Sequence, residues 1–241
     1  MLCELLQIAP DANNQVLLSR LDIATRKFEL AGKESSTQDL SAPYHIVHRV
    51  FCEGNLDYTL YLDTPWAVNL GERSVHLRGG TEIKNLELHI ERHKNLTFLV
   101  YNDYTCCKAP ATTSDRISKQ DRDQNAQDIN SYKSEESVCV ISQQLSNALM
   151  EIRNDYHDVP GYYPDFEVLQ EFSAPYLWLY HERKSIEKMI PKLSSIYQHA
   201  LGVFLDYIEI SFGEEYSKVD ALISKGMISS KYLSYLFVSV Y

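Results

Sequence analysis

The feature that most constrains this chain is a strongly apolar helix signal near its C-terminal end, at residues 194–212. Ile196, Tyr197, Ala200, Leu201, Val203, Phe204, Leu205, Tyr207 and Ile208 recur there at helical spacing. The apolar arc is wider than one exposed face, so the spacing predicts a helix buried around most of its circumference. Such a helix can exist in water only inside a fold that surrounds it. Gly213 reads as its C-terminal stop. A second helix then fits residues 214–225, closed by Gly226, and Ser229 can cap a short third helix presenting Tyr232, Leu233, Leu236 and Phe237. These positions read as scaffold and not as a reaction centre.

Earlier in the chain the periodicity changes twice. Residues 15–30 carry a helical stripe of Leu17, Leu21, Ala24 and Phe28, and a polar connector leads from it to Pro43. From 44 to 107 the pattern is that of strands. Residues 45–51 and 58–62 are short, aromatic and β-branched, with Glu53-Gly54-Asn55 between them as a hairpin turn. Leu86, Leu88 and Ile90 alternate with Glu87, His89 and Glu91, which predicts a half-exposed antiparallel strand; Leu96, Phe98 and Val100 mark the strand that returns. Residues 108–136 have almost no apolar side chain beyond Ile117 and Ile129, too few to offset the entropy of ordering, and read as a flexible linker. A strand at 138–141, a helix at 142–154, a strand at 166–169 and a helix from Tyr176 to about Ile190 follow, the last ended by Pro191. The expected class is α+β: an N-terminal helix and connector (1–43), a small antiparallel β-sandwich or meander (44–107), the linker (108–136) and a mainly helical domain (137–241).

Composition removes several function classes. A net charge of −10 opposes binding to a nucleic-acid backbone or an anionic membrane, both of which require a basic face. No apolar run reaches 18 residues, so no membrane span is expected. The first ten residues include Glu4 and lack a basic start, unlike a secretory signal. Five cysteines, scattered and odd in number, fit free thiols in a reducing compartment, so the expected location is intracellular, cytoplasmic or nuclear.

The chemistry-bearing residues select no reaction. A phosphate loop needs G-x-x-x-x-G-K-[ST]; the single Gly-Lys pair, Gly32-Lys33, has Lys27 in place of the first glycine and Glu34 in place of the hydroxyl. His45 and His48, three apart on a strand, point to opposite faces. His89 and His93 on a strand would be separated by roughly 13 Å, too far to share an ion. There is no C-x-x-C pair, and adjacent Cys106-Cys107 suit a strand terminus better than a tetrahedral site, so no metal or other cofactor is expected in this chain. No spacing pairs a Cys with a His as a nucleophile, and no G-x-S-x-G elbow occurs. Arg49, Arg78 and Arg92, near strand ends or turns, remain as candidate contacts for a partner's carboxylates, against the blander reading of pairing within the chain.

Several segments together resemble a known family. "HRVFCEG" (48–54), "HLRGGTEIKNLELHIERHKNLTFLVYNDYTC" (76–106), "PYLWLYHERKSIE" (175–187) and the stretch 201–237 are similar to the region preceding the ATPase module in filamentous-fungal AAA+ ATPases, a region that includes a domain of unknown function. The resemblance implies that the nucleotide machinery, with its ATP and Mg, lies downstream of this chain. No functional residue of that machinery maps onto a position here. The expected role is therefore non-catalytic: recognition or regulation, docking a protein partner or substrate, or positioning the ATPase core. The alternative is a small standalone enzyme with a site assembled from distant His, Cys and Asp residues.

Overall fold

The computed structural model of the chain describes residues 42–52, 57–69, 75–107, 129, 132–155 and 163–237. The helix expected at 15–30 and most of the linker at 108–136 lie outside them. The described strands are β1 (Tyr44–Phe51), β2 (Thr59–Tyr61), β3 (Trp66–Asn69), β4 (Val75–Arg78), β5 (Phe98–Thr105), β6 (Lys133–Val140) and β7 (Glu171–Ser173). The helices are α1 (Leu86–Arg92), α2 (Gln143–Asp155), α3 (Leu177–Met189) and α4 (Ser195–Ile223). Short 3-10 turns cover Ile190–Lys192 and Ser230–Leu236.

The class is α+β, as expected, but the main sheet is mixed and not antiparallel. Its order is β2-β1-β5-β6-β7. β1 and β5 pair in parallel along their full length, from Tyr44↔Phe98 to Phe51↔Thr105, because the chain between them crosses back through the β3–β4 hairpin and α1. β6 and β7 join the same sheet in antiparallel fashion. The expected division between 44–107 and 137–241 therefore does not separate two cores, and β6 begins at Lys133, inside the stretch read as linker.

Period-2 alternation sends neighbouring residues of β5 to two different cores. Phe98 and Val100, with Val138 and Val140 of β6, face α2, α3 and α4; Leu145, Leu149, Trp178, Leu201, Phe204 and Tyr207 complete that cluster. Leu99 and Tyr101, with Val47 and Cys139, face the other way, where Leu86 and Ile90 of α1 cover them. A third cluster, built on Val50, Tyr61, Leu77, Tyr104, Cys106 and Tyr132, lies where the β3–β4 hairpin meets the strand ends. Gly79 lets that hairpin pass close: a Cβ there would lie 2.5 Å from the Tyr61 ring.

Three elements differ from expectation for identifiable reasons. Residues 86–92 form a helix. Asn85 caps it by accepting from the Leu88 amide at 2.8 Å, and Leu86 and Ile90, one turn apart, pack on the sheet while Leu88 stays exposed. Alternation over five residues had assigned Leu88 inward. Residues 166–169 form no strand; the strand follows at Glu171–Ser173. Gly213 does not stop α4, which runs 29 residues. Tyr216 and Val219 continue its buried stripe, and their packing outweighs the cost of about 1 kcal/mol for an interior glycine.

Four tyrosine hydroxyls in this fold are anchored on carboxylates. Tyr207 donates to Glu136 at 2.7 Å, Tyr176 to the same oxygen at 3.3 Å, Tyr180 to Asp220 at 2.8 Å and Tyr235 to Glu215 at 2.6 Å. Glu136 thus ties β6 to α4. Among the described residues no helix is long and apolar enough to cross a membrane.

His48, on the opposite face of β1 from His45, is buried against the Tyr104 hydroxyl at 3.1 Å. Burial, reinforced by Lys133 and opposed by Asp63, lowers its pKa to about 4. The unfolded chain therefore takes up this proton before the folded one does, so stability falls as pH drops from about 6.5 toward about 4. Between pH 7 and pH 5 the expected loss from His48 is about 2 kcal/mol. Urea melts of wild type and His48→Gln at both pH values measure it; the variant should show a loss smaller by that amount.

Candidate metal centre

The parallel pairing of β1 with β5 places the C-terminal ends of both strands side by side. Cys52 directly follows β1, and Cys106 and Cys107 directly follow β5; the Cys106 amide donates to the Phe51 carbonyl at 2.7 Å, holding the two ends together. The β3–β4 hairpin folds over this edge and carries His76 to it. Consecutive residues of a strand point to opposite faces, which would separate Cys106 from Cys107. Cys107 avoids this by leaving the extended conformation: its φ is 66°, a left-handed value that few side chains adopt without a compensating contact. That turn brings both thiols to one point.

Four donor atoms converge there, all within 4.8 Å of one another. His76 Nδ1 lies 3.5 Å from Cys52 Sγ, 3.5 Å from Cys106 Sγ and 3.4 Å from Cys107 Sγ. Cys107 Sγ lies 3.3 Å from Cys52 Sγ and 3.5 Å from Cys106 Sγ. A tetrahedral zinc ion with Zn–S of about 2.3 Å and Zn–N of about 2.0–2.1 Å sets its donors about 3.8 Å (S···S) and about 3.5 Å (S···N) apart. The S···N edges match, and the two S···S edges from Cys107 need to open by only a few tenths of an ångström. The Leu77 amide donates to Cys106 Sγ at 3.3 Å, an outer contact of the kind that orients and stabilises a thiolate ligand.

Burial and the neighbouring thiols push Cys52 up to about 12. Burial raises Cys106 as well, with the Leu77 amide acting against the rise. A divalent cation reverses the balance, since each thiolate then faces positive charge instead of its neighbours' sulfurs. Three thiolates and an imidazole form a closed set typical of a structural zinc site, with no position left for a substrate.

No family model matches the chain, and no curated protein or solved structure matches it.

Of the three arginines, Arg49 is committed within the fold. Its guanidinium donates to both Asp103 oxygens, at 2.6 and 2.9 Å, and to both Glu171 oxygens at 2.9 Å, while lying 4.2 Å from the centre of the Tyr101 ring. It ties β1 to β5 and β7 across one face of the sheet. Arg49→Ala leaves Asp103 facing a poorly hydrated site and is expected to cost about 2–3 kcal/mol, measurable by urea denaturation, with Arg49→Lys recovering only part. Arg78, two residues beyond His76, and Arg92, at the end of α1, are exposed.

The metal cluster is not legible in the sequence for two reasons. Its ligands come from three separate strand ends, and the adjacency of Cys106 and Cys107 looked incompatible with one ion. The available signal was that cysteines directly follow two strands; recognising their convergence required the parallel register.

Proposed function

We propose that this chain is a non-catalytic recognition or regulatory unit whose β3–β4 hairpin is stapled to the main sheet by one structural zinc-type ion on Cys52, His76, Cys106 and Cys107. The observation that carries this reading is the convergence of three thiols and an imidazole from three strand ends at tetrahedral spacing. The closed donor set favours a structural role over a catalytic one. Stapling fixes the hairpin that carries exposed Arg78, so we assign Arg78, with Arg92, to contact with an acidic surface of a protein partner. The resemblance to the region preceding a fungal AAA+ ATPase module suits this role, the partner then being a substrate or the ATPase core itself, with ATP and Mg bound only by that core.

The test is X-ray absorption at the zinc edge on chain purified under reducing conditions. A shell containing sulfur, reduced in Cys106→Ser and Cys107→Ser, is the expected result. A shell without sulfur, or no zinc retained, overturns the metal reading. Saturable ATP binding at micromolar concentration, measured by calorimetry on the same protein, overturns the non-catalytic assignment.

A further inference from the structure

The helix α1 creates a second convergence of donors, independent of the thiol cluster. His93 caps the C-terminal end of α1, four residues after His89, and its ring lies 4.4 Å from the His89 ring, centre to centre. Leu86 and Ile90 seat that helix on the sheet beside Val47 and Leu99, and this brings both imidazoles against His45 of β1, which is 1% exposed. One nitrogen from each of the three rings lies within 4.8 Å of the others. His45 Nδ1 and His89 Nε2 are 2.9 Å apart. The ring centres of His45, His89 and His93 are 4.4 to 5.1 Å apart, close to the separation of about 5 Å expected for three imidazoles on one tetrahedral ion.

The orientation of His93 separates a metal site from a simple hydrogen-bonded pair. His93 Nδ1 lies 2.7 Å from the His89 carbonyl oxygen. A carbonyl only accepts, so Nδ1 carries the proton, and Nε2 keeps its lone pair. Fixing one ring nitrogen on a backbone carbonyl while the other turns to the ion is the usual outer arrangement of metal-bound histidine. A hydrogen bond between His45 and His89 accounts for their contact alone. It gives no reason for His93 to present its ring to both.

We infer that His45, His89 and His93 bind a divalent transition metal of the zinc type through three imidazole nitrogens, leaving a fourth position for water or a small exchangeable anion. The donor chemistry excludes Ca and Mg, which require oxygen ligands, and suits Zn, Co, Ni or Cu. Three histidines with an open position differ in kind from the closed thiol site: the first can exchange a ligand, the second cannot.

Cobalt and zinc titrations of the full chain under reducing conditions test this. Wild type is expected to bind two equivalents, one giving the near-ultraviolet thiolate-to-cobalt band and one giving visible bands only. His89→Gln and His93→Gln should each abolish or weaken at least tenfold the second equivalent, with the thiolate band and the circular dichroism unchanged. Two tight equivalents in both variants, or a single equivalent carrying the thiolate band in wild type, overturn the inference. A single equivalent without that band upholds it and overturns the thiol site instead. Nitrogen NMR of the wild-type histidine rings gives a reading free of any folding defect in the variants. Zinc should shift His45 Nδ1, His89 Nε2 and His93 Nε2 while His93 Nδ1 stays protonated; unshifted nitrogens overturn the inference.

Discussion

Cys106→Ser is expected to lower the unfolding free energy by about 4 kcal/mol or more relative to zinc-loaded wild type. An ion that binds the folded state alone stabilises it by about 4 kcal/mol when its free concentration is a thousand times Kd, and thiolate-rich structural sites readily reach that ratio. The effect is large because the ligands come from places distant in sequence. Cys52 follows β1, His76 sits in β4, and Cys106 and Cys107 follow β5, so one ion closes two long loops and holds the β3–β4 hairpin on the sheet. Without it the third core cluster, where Leu77 and Tyr61 pack with Tyr104, keeps only its apolar contacts. Urea melts with and without a chelator, under reducing conditions, measure the loss. Wild type should become less stable with chelator, and Cys106→Ser should lose the part of that response supplied by the thiol site, keeping only what an ion on His45, His89 and His93 contributes. Cys139→Ser supplies the contrast, since Cys139 is a buried thiol of the α1-side core and should leave the chelator response intact. A wild type indifferent to chelator would remove the structural ion from the account.

What could be read from the sequence was what local pattern determines. The apolar arc around Leu201 and Phe204 marks a core helix, though one buried along a single stripe and not around most of its circumference, with Ile196 exposed; Ser194 caps it by accepting from the Tyr197 amide at 3.4 Å. The strand character of 45–51 is equally local. Where long-range packing decides, pattern fails. Gly213 reads as a stop by propensity, yet the buried stripe runs through it. The segment around Leu88 alternates like a strand, yet the Asn85 cap and the seat of Ile90 make it helical, and that one change turns His89 and His93 from distant residues into neighbours. The parallel register of β1 and β5 cannot be seen in either strand alone, and it is what joins Cys52 to Cys106 and Cys107. Both donor clusters are products of tertiary pairing between segments whose spacing carries no motif. Arg49 shows the converse: its position near a strand end suggested a free anchor, whereas two carboxylates from β5 and β7 already hold it.

Phe204→Ala is expected to cost about 3–5 kcal/mol, and Leu201→Ala about 2–5 kcal/mol. Both side chains are fully buried on α4. Phe204 meets Phe98 of β5 edge-on at 5.5 Å between ring centres and Phe172 of β7 at 6.0 Å, so it touches two strands of the sheet at once. Truncating it removes apolar burial and both aromatic contacts and leaves a cavity walled by strands, which cannot collapse inward as a loop could. A loss of that size is a large share of the roughly 5–15 kcal/mol that holds a typical domain. Asp206 lies on the exposed side of the same helix, and Asp206→Ala should change stability by no more than about 0.5 kcal/mol. Denaturant melts of the three variants read these values directly. Because β5 carries Phe98 at one end and leads to Cys106 at the other, a combined Phe204→Ala and Cys106→Ser chain addresses whether the helix core and the metal edge act as one unit. If the single sheet transmits no strain between them, the two losses add within about 0.5 kcal/mol; a larger departure shows that β5 couples the ends.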